Sequence, residues 1–138
     1  MAQGIQVDAG LALQDSPFVN GIAQGLNASS QSLTAFAGGG QAGAKGISPN
    51  AMLVQIGTVV TNGDSVALPF GVKGTWMVVF NASAQSANIF GRVPVNKLTG
   101  VIDTINGVAG STAYAIAGGV SVLFFCPANG IWAALKSA

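Results

Sequence analysis

Glutamate and histidine are missing from this chain, and only nine of its 138 residues are charged: five Lys or Arg and four Asp. That is 7% charged residues, where an ordinary globular domain carries about 25%. A dispersed monomer uses surface charge to stay in solution. A chain this neutral is therefore expected to have much of its surface covered in its working state. The same shortage removes the side chains that do chemistry. Acid–base and nucleophilic catalysis need a titratable group poised near neutral pH. Here the candidates shrink to Asp8, Asp15, Asp64, Asp103, Tyr114, Cys126 and the lysines.

Other absences narrow the function further. Cys126 is the single cysteine, so no disulfide forms within the chain. Met1-Ala2-Gln3-Gly4 lacks the cationic and apolar regions of a signal peptide. No uninterrupted apolar run approaches the roughly 20 residues that span a bilayer, and the longest candidate, Tyr114–Cys126, contains Gly118, Gly119 and Ser121. Lys45, Lys73, Arg92, Lys97 and Lys136 are scattered, with no run that would neutralise phosphates. Nucleic acid and membrane are not expected partners. The aspartates are spread too widely for a metal cluster. The glycines at 38–40 and at 107 and 110 precede no lysine-bearing helix start, so neither stretch is a phosphate loop. No cofactor and no small-molecule substrate is expected, and the chain is not expected to be an enzyme. Asp64 and Asp103 sit beside Asn-Gly turns, and Cys126 lies in an apolar run where a thiol behaves as a small hydrophobe.

What is present divides near Pro49. Residues 1–49 are rich in Gly, Ala, Ser and Gln, whereas residues 50–138 hold both Trp, the one Tyr and five of the seven Phe. The expectation is an N-terminal arm and linker over 1–49 and a β domain over 50–138. In the arm, Ser16-Pro17 is a helix start, with Ser as N-cap and Pro in the first turn. Val19, Ile22, Leu26, Ser29, Leu33 and Phe36 then follow helical spacing up to Gly38-Gly39-Gly40. Gly21 and Gly25 oppose a helix. The stretch 16–37 therefore reads either as a helix formed against a partner or as an irregular arm. Residues 38–49 read as a flexible linker.

The β domain shows turn signals about every 8–12 residues with no helical run between them, the spacing of an antiparallel sandwich or barrel. Met52–Val60 ends at Thr61-Asn62-Gly63-Asp64, and Asn-Gly suits a type I′ hairpin turn returning through Ser65–Leu68. In Thr75–Asn81, Trp76, Val78 and Phe80 share one face while Met77 and Val79 share the other. Both faces are apolar, so this strand is expected to be covered on both sides. Further strands are expected at Ala87–Val93, Val101–Ile105, Ala113–Ala117, Val120–Cys126 and Ile131–Leu135, with another hairpin signal at Asn106-Gly107.

Several of these pieces occur in a recognisable order. Val66-Ala67-Leu68-Pro69 precedes Trp76–Asn81 and Ala87-Asn88-Ile89-Phe90. Ile105-Asn106-Gly107, Ile116–Gly119, Val122–Cys126 and Gly130-Ile131-Trp132 follow. Over residues 50–138 this order resembles the small β modules of tailed-bacteriophage capsid decoration (cement) and head-fibre proteins. The resemblance implies a β-barrel or sandwich that forms a homotrimer on the outer surface of the capsid. There it would bind the major capsid protein and tighten contacts between capsomers. Residues 91–100, with Arg92, Pro94 and Lys97, depart from a simple hairpin. The family has no catalytic residues to carry over.

The interface is accordingly expected to draw on Phe18, Val19, Ile22, Leu26, Leu33 and Phe36 in the arm and on Trp76 and Trp132 in the β domain. An alternative is a fibre or tail-adhesin module, with 16–37 as a short trimeric stalk and exposed Trp76 and Trp132 touching a host surface glycan.

Overall fold

The computed structural model describes residues 30–137. They hold β1 Ser30–Thr34, β2 Lys45–Gly46, β3 Leu53–Thr58, β4 Asp64–Ala67, β5 Trp76–Asn81 and β6 Ala87–Phe90. After these come β7 Thr104–Ile105, β8 Val108–Ala109, β9 Tyr114–Ile116, β10 Ser121–Ala128 and β11 Ile131–Lys136. No helix occurs among the described residues, which are all-β.

From β1 to β7 consecutive strands alternate between two sheets. β1, β3, β5, β10, β11, β7 and β8 form one seven-stranded sheet in that order, and β2, β4, β6 and β9 form a four-stranded one. The pairs β3–β5, β2–β4 and β4–β6 are all parallel. Each passage from one sheet to the other and back makes a coil, and the next coil stacks on it. Where an antiparallel barrel or sandwich is expected, the result is solenoid-like rather than a barrel, and its coils pair in parallel. Against this stack β9 runs antiparallel to β6 and β10 antiparallel to β5, which ends the parallel series.

The two Asn-Gly pairs show why. A type I′ turn needs positive φ at both central residues. Asn106 (φ 51°) and Gly107 (φ 79°) supply it, and they close the hairpin that pairs Thr104 with Ala109 and Ile105 with Val108. At the first pair only Gly63 (φ 94°) is positive. Instead of a hairpin, the chain turns a corner between sheets. Asp64 holds that corner, its Oδ2 accepting from the Val60 and Thr61 amides at 3.0 Å each and its Oδ1 from the Gly38 amide at 3.3 Å. Asn62 Oδ1 accepts from the Ser86 amide at 2.8 Å, and the Gly63 amide donates to the Ser86 carbonyl at 2.9 Å. Corners of successive coils are thereby stapled together.

A left-handed residue with a Cβ costs roughly 1–2 kcal/mol. Gly107→Ala should therefore lose about that much stability in urea unfolding. Gly57→Ala is the control: φ is not positive there, and a Cβ would meet nothing nearer than 3.7 Å, so it should change little.

Residues 30–48 belong to this architecture and form neither a helix end nor a linker. Ser30–Thr34 is strand; the Ala35 amide donates to the Thr58 carbonyl, and the Phe36 amide to the Ser65 carbonyl, at 2.9 Å each. The helical spacing at Leu33 and Phe36 was coincidental with a strand alternation that points Leu33 inward. Ser and Thr are poor helix formers because their hydroxyls compete for the backbone. Positive φ at Gly38, Gly39 and Gly40 makes a corner. Leu33, Ala35 and Ile47 share one core with Val54, Ile56, Val66, Leu68, Met77, Val79, Ile89, Ile116, Val122, Phe124 and Trp132. The compact unit starts at Gln31 rather than near Pro49. Residues 16–29 of the helical reading lie outside the described residues.

Candidate functional site

β5 alternates as its sequence demands. Met77, Val79 and Asn81 point into the core, and Trp76, Val78 and Phe80 point out of it. Among the described residues the outward face is only partly covered: Trp76 is 43% and Phe80 37% exposed, with Val78 half-buried between them. Strand register extends it across the sheet. One row joins Leu53, Val78, Leu123 and Leu135 on β3, β5, β10 and β11. The row on one side joins Trp76, Phe125 and Ala133, and the row on the other joins Gln55, Phe80 and Ser121. None of these residues is charged. Strand spacing and rise give the three rows an area of roughly 400 Å². That is within the size of the largest apolar patch on a monomer, which is often a contact surface.

The expected interface residues divide sharply. Trp76 lies on this face. Trp132 does not: it is fully buried, because Ile131 takes the outward position on β11. The two tryptophans cannot form a joint sugar platform. Leu33 is buried in the core, and Phe36 is 46% exposed with its ring against Gly43. Phe18, Val19, Ile22 and Leu26 lie outside the described residues. Val78 and Phe80 share the face of Trp76 as their alternation implies, whereas Leu53, Leu123 and Leu135 join it without any signal in their own segments. Alternation signalled the face on β5, but its continuation needs the order β3–β5–β10–β11, in which only β10 and β11 are neighbours in sequence as well as in space.

The polar groups that remain are spent on structure. Asp64 is buried and takes three backbone amides. Asp103 is fully buried, with Oδ2 accepting from the Gly71 amide and Oδ1 from Asn96 Nδ2 at 2.9 Å. Cys126 Sγ donates to the Ala128 carbonyl at 2.9 Å, and burial pushes the thiol above its ordinary range. Among the described residues no three His, Cys, Asp or Glu come together. A polar cleft of about 330 Å³ between Ser32, Thr34, Lys45 and Thr58 holds no acid beside its lysine. Both described aspartates being buried, the exposed charges of the described residues are all cationic: Lys45, Lys73, Lys97 and Lys136.

Comparison with family models, with curated proteins and with solved structures finds no match.

Proposed function

We propose that this chain is a non-enzymatic structural protein that assembles with copies of itself, as a homotrimer, through the outer face of the seven-stranded sheet. In the fuller form of this reading it decorates the outside of a tailed-bacteriophage capsid and stabilises contacts between capsomers. The uncharged apolar face carries the assembly part. Leaving Leu53, Trp76, Phe80 and Leu135 in water forgoes burial that stabilises by roughly 25 cal/mol per Å², and a second surface recovers it. The capsid part is supported by the order of motifs over residues 50–138.

The test uses Val78→Lys with Leu123→Lys. The unmodified chain should sediment as a multiple of its 13.6 kDa at micromolar concentration, and the variant as a folded monomer. An unmodified chain that stays monomeric to high concentration would sink the assembly reading. Co-sedimentation with empty heads built from the major capsid protein encoded nearest to this chain tests the capsid part, and loss of all binding would remove it.

A further inference from the structure

We propose that the copies meet head to tail: the loop from Val95 to Val101 of one copy seats on the apolar sheet face of the next. This rests on the assembly reading above and goes beyond it by naming the second half of the contact.

The loop exposes three large aliphatic side chains, Val95 at 43%, Leu98 at 59% and Val101 at 60%. It is also held rigidly. Asn96, at its base, is 1% exposed, and its Nδ2 donates to the Gly71 carbonyl at 3.0 Å and to Asp103 Oδ1 at 2.9 Å. Its Oδ1 accepts from the Leu98 amide at 2.9 Å. Its carbonyl takes the Thr99 and Gly100 amides at 3.1 and 2.7 Å, and its own amide donates to the Val101 carbonyl at 2.8 Å. Here a buried Asp–Asn network fixes a loop whose aliphatic side chains add nothing to the chain's own core. A preorganised loop loses little entropy when it docks, and rigid scaffolds present binding loops in this way.

Geometry and area choose the occupant. Thr99 lies against Gly130, and the Gly130 amide donates to the Gly71 carbonyl at 3.0 Å. The loop therefore stands at the turn end of the β10–β11 hairpin, away from the centre of the face. A stable association buries about 800 Å² per partner, roughly twice what the face offers. A two-fold, face-to-face dimer covers the face once and leaves Leu98 and Val101 in water. In a head-to-tail ring every copy gives its face to one neighbour and its loop to another, so both patches are covered in every copy. Such heterologous contacts are also what closes a ring of three. No cation lies in the three rows of the face, so nothing there repels Lys97.

The experiment combines the face variant, Val78→Lys with Leu123→Lys, and a loop variant, Leu98→Lys with Val101→Lys, using lysine in both so that no new ion pair forms. Circular dichroism and urea unfolding verify the folds, and Leu98→Ser with Val101→Ser is a milder loop variant read in the same way. Each variant alone should sediment as a monomer. Mixed in equal amounts they should form a dimer of one copy each, because one intact loop then meets one intact face. A loop variant that assembles like the unmodified chain overturns the proposal and leaves the assembly reading standing. So does a mixture of two folded monomers that does not associate. An unmodified chain that is itself monomeric removes both.

Discussion

Trp132→Ala is expected to lower the unfolding free energy by about 3–5 kcal/mol, the cost of emptying a large aromatic site in a packed core. Trp132 is fully buried in the cluster that joins Phe124, Met77 and Ile89 across the two sheets. Trp76→Ala removes a side chain of the same size from a position 43% exposed and should cost a fraction of that in the folded monomer. Its main effect should fall on self-association. Urea unfolding in the monomeric background of Val78→Lys with Leu123→Lys separates the two effects, since dissociation then no longer contributes. Trp132→Phe should recover most of the loss. Among the described residues the buried indole Nε1 has no hydrogen-bond partner, so replacing it sacrifices no bond there and removes an unsatisfied donor. Equal losses for the alanine variants of Trp76 and Trp132 would contradict the inward and outward assignment of β5 and β11.

Gly110→Ala should be the most damaging single-methyl change. A Cβ on Gly110 would overlap the Asp103 carbonyl oxygen and lie 2.9 Å from the Gly91 Cα. All of these are backbone atoms with no rotamer to yield. The Gly91 amide donates to the Gly110 carbonyl at 2.8 Å, and the Gly110 amide to the Asp103 carbonyl at 2.9 Å. Gln41 Nε2 clamps the same pair, donating to the Gly91 carbonyl at 2.8 Å and the Gly110 carbonyl at 3.2 Å. Moving one strand of this crossing breaks bonds on three segments. Overpacking alone costs about 1–3 kcal/mol, and the lost bonds bring the expectation to at least about 3 kcal/mol. For a unit of about 100 residues that lowers the melting temperature by more than about 12 °C. A Gly110→Ala variant that melts with the unmodified chain would show that the crossing has room the backbone geometry denies.

Much of the local structure was legible in the sequence, while the way the strands are connected was not. The alternation in Trp76–Asn81 and the hairpin at Asn106-Gly107 each follow from a few adjacent residues. Asn62-Gly63 presents the same dipeptide as Asn106-Gly107, yet it becomes a corner between sheets. What separates them is Asp64 and Ser86, one next door and the other in the following coil. The stacking itself recurs: paired positions lie 23 residues apart in β4 and β6 and 25 apart in β3 and β5. Val54 and Val79 are the one identity among these paired positions, too little to read as a sequence motif. Small polar residues that bond across coils do the repeating, and Gly38, Asp64 and Ser86 have little in common as letters. Trp132 was misplaced for a related reason. Alternation over Ile131–Lys136 divides the residues into two faces but does not say which is inside. That depends on β10 lying beside β11, and β10 in turn beside β5.

The parallel coils are closed off where β9 and β10 reverse direction, and this gives the molecule a built-in step size. A whole coil inserted between β2 and β3 could pair with its neighbours in the existing register, as in other stacked-repeat architectures. It would widen each sheet by one strand, about 4.8 Å, without disturbing the antiparallel cap. Because one strand of every coil belongs to the seven-stranded sheet, the apolar face would broaden by the same increment. The contact area of such a protein can thus change by whole coils, each adding a strand's worth of surface, while the loop at Val95–Val101 stays where it is.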